Sequence, residues 1–329
     1  MKKAVLFLFI CTSAIFAGVS NKEFIDQVQY NSSVWGEGRV ENIVPYASSP
    51  FAQLFVELQS AGVFKYLALF AVIAVIIAFI GHYMIVGPKS FSHDHGKVYA
   101  FSKFERIIHL IAAVAWVILV PTGLIIMFGS SFGGGGFVSF MKDLHGVATI
   151  FFAISLPFMF AFWFVRMLPV MYDLRWALIV GGYLSKKKRA IPAGKFNFGQ
   201  KAWFWVCTLG GFFMIVTGAV MFFLDGTIPG ANGAVFGISQ IEFLRLSAII
   251  HNILGAACAV FLLVHIYMAV FCIKGAIHAI INGYKEEEEV YVLHHYWYQE
   301  LLKKGKIQES VFEDKYPRLE PVNAVGKVI

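Results

Sequence analysis

The stretch AIIHNILGAACAVFLLVHIYMAV, residues 248–270, sets two histidines in an otherwise apolar run. His251 and His265 stand fourteen residues apart with no charged residue between them. An ionisable side chain in such a run is costly and marks a functional position. At ~100° per residue, fourteen steps return to within about 40° of the starting direction, so both imidazoles share one helix face. At ~1.5 Å per residue they lie about 21 Å apart along the axis. One helix therefore presents a histidine near each side of a bilayer.

Composition places that helix in a membrane. The chain has 329 residues, of which 58% are hydrophobic and 14% charged, and its mean hydropathy is +0.70. Soluble domains carry about a quarter charged residues. Five runs reach the ~20 residues that a spanning helix needs, at 62–86, 106–128, 144–168, 202–224 and 246–273. A helix satisfies its own backbone in lipid, so the expected fold is an all-α membrane protein. Pro121 and Pro157 kink the second and third spans without stopping them.

A net charge of +7 does not point to nucleic acid, because the basic residues sit between the apolar runs. Lys89, Lys97, Lys103 and Arg106 mark the first connection. Arg166, Arg175, Lys186, Lys187, Lys188, Arg189, Lys195 and Lys201 mark the third. The second has only Lys142 and the fourth only Arg245. Basic connections stay inside, so the first and third face the cytoplasm, the N-terminus faces out, and the tail from about 274 is cytoplasmic. The start, MKKAVLFLFICTSAIFAG, reads as a signal peptide over 1–17 and predicts the same orientation. Residues 18–61 follow as an outer, periplasmic segment.

Other features carry less. FGGGG at 132–136 is a short outer loop, with neither a helix start after it nor a lysine for phosphate. EEEE at 286–289 weighs little in the charge rule, and YVLHHYWYQELLKKGK at 291–306 has the pattern of an amphipathic helix. Cys11, Cys207, Cys258 and Cys272 lack zinc-site spacing, and no C-x-x-C-H is present, so any haem is held non-covalently.

Topology sorts four histidines by depth. His109 lies near the cytoplasmic start of the second span, His145 near the outer start of the third, and His251 near the outer start of the fifth. His265 lies deep toward the cytoplasm. Two levels of two imidazoles suit two six-coordinate b-type haems across the bilayer. One compact zinc site does not place ligands about 21 Å apart on one helix. A histidine-based proton relay in a haem-free transporter is the alternative that spacing leaves open. Gly123, fourteen residues after His109, leaves room for a flat macrocycle. Arg106, one turn before His109, is placed to neutralise a propionate. His82 has no clear partner, His93 and His95 read as solvated, and His294 and His295 belong to the tail.

The segments KFERIIHL at 103–110, LHG at 144–146, KFNFGQK at 195–201, IIHNILG and LLVHIYMAVFCIKGAIHAIINGY, with LHHYWYQEL after them, carry a resemblance. Over about 103–302 the chain resembles the cytochrome b (gamma) subunit of respiratory membrane-bound formate dehydrogenases. Cytochrome b subunits of nickel–iron hydrogenases share the paired histidines, while KFNFGQK and the segment after His265 point to formate dehydrogenase. The resemblance implies two haem b groups, one on His109 and His265 at the cytoplasmic side, the other on His145 and His251 at the periplasmic side. It implies a menaquinone pocket by the cytoplasmic haem, near Asn197, Gly199 and Gln200. It also implies an iron–sulfur beta subunit and a molybdenum or tungsten alpha subunit as partners, in the bacterial inner membrane. The expected architecture is a four-helix di-haem domain over 103–284, one additional helix at 62–86 and a tail over 285–329. The relatives' pattern has four helices, so the leader, the outer segment and helix 62–86 have no counterpart in it.

Overall fold

The computed structural model describes residues 50–223, 240–308, 312, 315 and 316. The signal peptide, most of the outer segment and residues 224–239 lie outside the described residues. Helix α1 (Pro50–Ser60) precedes α2 (Val63–Ile85), followed by strand β1 (Lys97–Tyr99), α3 (Lys103–Met127), α4 (Gly135–Met167) and α5 (Met171–Leu178). Next come α6 (Phe198–Trp205), a π-helical turn (Val206–Gly210) and α7 (Gly211–Phe222). Then follow α8 (Gln240–Ile266), a second π-turn (Tyr267–Cys272), α9 (His278–Ile281), β2 (Tyr284–Glu286), α10 (Glu287–Leu293) and α11 (His295–Lys303). Five helical stretches are long and apolar enough to cross a membrane: Val63–Ile85, Lys103–Met127, Gly135–Met167, Phe198–Phe222 and Glu242–Cys272. The protein is a multi-pass helical membrane protein, with the five spans that hydropathy anticipates.

Local chemistry fixes the helix ends. Ser102 opens α3 with a reciprocal capping box, its hydroxyl accepting the Glu105 N–H while the Glu105 carboxylate accepts the Ser102 N–H at 2.8 Å. A tight joint of Gly133, Gly134 and Gly135, all at positive φ, turns the chain from α3 into α4. The third span thus begins at Gly135, nine residues before the hydropathic run at 144, and a helix start does follow the glycine cluster. The polar residues Lys142 and Asp143 ride on the first turns of α4, which is why hydropathy places its start late. Large apolar side chains on α2 point outward, Met84 being 79% exposed and Phe70 68%. Such a surface is stable only against lipid or protein.

The described chain falls into two compact units, each taken by itself. One holds the described residues up to Leu69 with Phe213–Ala256, and there the Arg245 guanidinium lies 4.7 Å over the Phe55 ring. The other holds Phe70–Phe212 and the chain from Ala257 onward, and one end of it is a polar cap. Strand β1 pairs antiparallel with β2, Lys97 opposite Glu286 and Tyr99 opposite Tyr284. The Ile191 N–H donates to the Val292 carbonyl at 2.7 Å, joining the connection before α6 to α10.

The acidic run is a buried part of that cap. Glu288 is 1% exposed and Glu289 2%. Glu288 accepts from the Ser92 N–H, from the Tyr316 hydroxyl and from Lys188 at 3.0 Å. Burial pushes its carboxyl up, but those donors together hold it below the usual range. Glu289 pairs with Lys285 one turn earlier. Removing one partner of such a buried pair costs about 3–5 kcal/mol. The amphipathic stretch at 291–306 is two short helices, α10 and α11, with a break at His294, whose Nδ1 donates to the Gly194 carbonyl at 2.9 Å.

Candidate functional site: four histidines in two environments

His145 and His251 share one kind of seat. The Thr122 hydroxyl lies 2.6 Å from the Ile118 carbonyl one turn back and 2.9 Å from His145 Nδ1. A hydroxyl has one proton, and the carbonyl can only accept it. Thr122 therefore donates to the helix backbone and accepts the His145 Nδ1–H, which places the imidazole lone pair on Nε2. Thr217 repeats this for His251, with its hydroxyl 2.6 Å from the Phe213 carbonyl and 3.0 Å from His251 Nδ1. Each threonine is followed by a glycine. A Cβ on Gly123 would stand 3.3 Å from His145 Cε1, and one on Gly218 3.3 Å from His251 Cε1. The room read at Gly123 is thus taken up by the His145 ring. Sequence reasoning misses Thr122, Thr217 and Gly218, for which the signal is a Thr-Gly dipeptide in each of two spans.

His109 and His265 are held by stacking instead. Their ring centroids are 6.1 Å apart with planes tilted by 52°. The Trp203 indole stacks on His265 at 5.4 Å and 20°, and Trp163 meets His109 edge-on at 6.5 Å. Trp163 is itself oriented by donating from Nε1 to Glu105 at 2.9 Å, so the cap of α3 also aims this ring. His109 Nδ1 is buried with no hydrogen-bond partner among the described residues. An imidazole nitrogen sits about 2 Å from a transition metal. Adding half of each ring, two imidazoles on opposite sides of one ion have centres about 6 Å apart. The spacing of His109 and His265 and the orphaned nitrogen fit that arrangement. Among the described residues no three His, Cys, Asp or Glu side chains gather as a metal cluster, so a site built from two imidazoles needs its remaining ligands from elsewhere.

The other sequence-derived positions are placed as follows. Arg106, one turn before His109, donates through Nη1 to the Ile281 carbonyl, and its Nε is buried without a hydrogen-bond partner among the described residues. Asn197 and Gln200 form a reciprocal capping box at the start of α6, Gln200 N to Asn197 Oδ1 at 3.0 Å and Asn197 N to Gln200 Oε1 at 2.9 Å. Gly199 sits beneath Trp176, whose ring is 3.1 Å from where a Cβ would be. Lys201 in the next turn makes a buried 2.7 Å pair with Asp173. His82 has partners, Tyr267 and Tyr183. His93 bonds Glu286 at 2.9 Å, and His95 lies edge-on to Phe312 at 4.6 Å.

Residues 100–283, more than half of the chain, match the family described as prokaryotic cytochrome b561. Residues 61–95 match a second one, formate dehydrogenase N, transmembrane. Helix α2, which has no counterpart in the four-helix pattern, thus has one of its own. The formate dehydrogenase cytochrome b556 subunit of Haemophilus influenzae is 27% identical over 64% of this chain and 85% of its own length. The nitrate-inducible formate dehydrogenase cytochrome b556(Fdn) subunit of Escherichia coli K12 is 26% identical over 65% of this chain and 96% of its own. The cytochrome b556(fdo) subunit of the same organism is 26% identical over 60% and 90%.

Proposed function

Because the chain belongs to the prokaryotic cytochrome b561 family, and is a membrane cytochrome b electron-transfer subunit carrying haem b, we propose that it is the di-haem quinone-reducing anchor of a formate dehydrogenase. The observation that carries the reading is the paired placement of histidines on α3 and α8, with His109 and His265 6.1 Å apart. His109 and His265 hold one haem on the cytoplasmic side, and His145 and His251 hold the other on the periplasmic side. Haem b, when bound, supplies a one-electron carrier at each level. The fourteen-residue interval on α8 sets the two levels about 21 Å apart along the helix. Thr122 and Thr217 fix the tautomer of the periplasmic ligands, with the lone pair on Nε2. Trp203 and Trp163 exclude water from the cytoplasmic pair. Arg106 offers its Nε–H to a propionate.

Asn197, Gly199 and Gln200 border the menaquinone site. The capping box uses both side-chain oxygens, so what each amide offers a quinone carbonyl is an N–H. An iron–sulfur subunit delivers electrons from the periplasmic side, and a molybdenum or tungsten subunit oxidises formate. The formate-oxidising site belongs to that subunit rather than to this chain. The N-terminal segment is periplasmic and the polar cap cytoplasmic in the bacterial inner membrane, an orientation that the basic connections support.

Membranes containing the complex test this directly. Formate reduces the b-type haems, and quinone reoxidises them. Reduction by hydrogen but not by formate identifies a hydrogenase cytochrome b instead, and no b-type band with either donor leaves a haem-free transporter.

A further inference from the structure

We propose that His82 is a positioning residue for His265, so that helix α2 is part of the ligand framework and not an addition beside it. This rests on the reading above that His265 ligates haem. His82 lies in the last turn of α2. Its Nε2 is 2.9 Å from the Tyr183 carbonyl oxygen, and its Nδ1 meets the Tyr267 hydroxyl. A carbonyl only accepts, so Nε2 carries the proton and donates it. Nδ1 then holds the lone pair and accepts the Tyr267 O–H. A neutral imidazole satisfies both partners in this one tautomer.

Tyr267 is two residues after His265 and begins the π-turn Tyr267–Cys272. One turn before His82, Phe79 stacks flat on the Tyr267 ring, with centroids 4.1 Å apart and planes 5° from parallel. The chain beyond α2 holds the other end of the same turn. The Lys89 N–H donates to the Cys272 carbonyl at 2.8 Å, and the Lys274 N–H to the Lys89 carbonyl at 2.9 Å. Lys89 Nζ donates to the Ser185 carbonyl at 2.8 Å, fixing that strap on its far side.

A π-turn departs from the regular i→i−4 ladder and recurs at functional positions. Because that ladder is interrupted directly after His265, the direction of this histidine depends on what clamps the turn. The clamps come from α2 and the strap after it. In the sequence His82 has no visible partner because its partners lie 185 and 101 residues away.

The test uses the full chain in its membrane complex, with His82→Phe, His82→Gln and Tyr267→Phe. In His82→Gln the new amide offers an oxygen to the Tyr267 hydroxyl and an N–H to the Tyr183 carbonyl, so this variant is the conservative rescue. Three quantities are read: haem content, the low-spin haem resonances of the oxidised protein, and amide hydrogen exchange across residues 267–274. His82→Phe and Tyr267→Phe should keep full haem, move the resonance that His265→Ala abolishes, and speed exchange across 267–274 severalfold. His82→Gln should return both toward wild type. An unmoved resonance at full haem content overturns the positioning role, even with faster exchange. So does an equal shift of both resonances. A wild-type protein with no haem refutes the ligand reading beneath it, which haem content reports separately.

Discussion

Two pairs of histidines occupy one helical protein and are held by different physics. His145 and His251 each donate to a threonine hydroxyl and press against a glycine. His109 and His265 rest against tryptophan rings, and His109 Nδ1 has no hydrogen-bond partner among the described residues. A hydrogen bond to the second ring nitrogen fixes tautomer and ring direction and raises ligand basicity. Stacking fixes the plane of a ring but leaves the proton on either nitrogen. As proposed ligands, the threonine-seated histidines are oriented by bonds and the stacked ones by packing.

Removing the bonds should separate the two pairs most clearly. Thr122→Val or Thr217→Val keeps the side-chain shape but leaves the histidine Nδ1–H without its acceptor. Haem affinity at the threonine-seated site should fall about 10–100-fold, with the other site unchanged and Thr→Ser restoring it. Haem titration into the stripped protein measures this, and equal losses at both sites would remove the distinction. Trp203→Phe probes the stacked pair. A stacked aromatic contact is worth about 0.5–1.5 kcal/mol, so affinity there should drop about 2–10-fold. A loss as large as that of the threonine variants would mean that packing and hydrogen bonding seat the rings equally well.

Gly123→Ala and Gly218→Ala sharpen the contrast at smaller scale. Each new methyl stands 3.3 Å from a histidine Cε1, so the ring must give by a few tenths of an ångström. Overpacking of this kind costs about 1 kcal/mol, and only the threonine-seated haem spectrum should shift. A separate test, on stability rather than haem, belongs to the polar cap. Burial, with Lys285 nearby, lowers the His294 pKa to about 3, against an opposing bond to the Gly194 carbonyl. The unfolded chain binds this proton near pH ~6.5. Between pH ~6.5 and about 3 the unfolded state therefore holds one more proton, and stability falls as pH drops through that window, staying flat above it. Exchange protection of residues 287–303 against pH should show that slope in wild type and a shallower one in His294→Asn. Identical slopes would exclude His294 as its source.

Much of this architecture is legible from residues alone. Five apolar runs give the spans, and the His251–His265 interval gives a shared face and an axial separation without any partner helix. The threonine seats are not legible in that way, because Thr122 matters only once α4 is known to bring His145 beside it. Asn197 and Gln200 enter as quinone contacts only through the resemblance, and their reciprocal capping of α6 is seen only in the structure. EEEE carries no local sign of burial, because the partners of Glu288 (Ser92, Lys188 and Tyr316) are remote, the nearest of them 28 residues away. The π-turn after His265 is likewise met by Phe79, His82 and Lys89, all remote from its own sequence, YMAVFC.

The central claim is that α8 carries one ligand for each of two haems, and haem counting in single and double variants tests it most directly. Wild type should carry two haems per chain, with a b-type α-band in the reduced-minus-oxidised spectrum. One haem should remain in His251→Ala, one in His265→Ala with a different surviving band, and none in the double variant. Full haem content in either single variant, or the same band surviving in both, would contradict the claim.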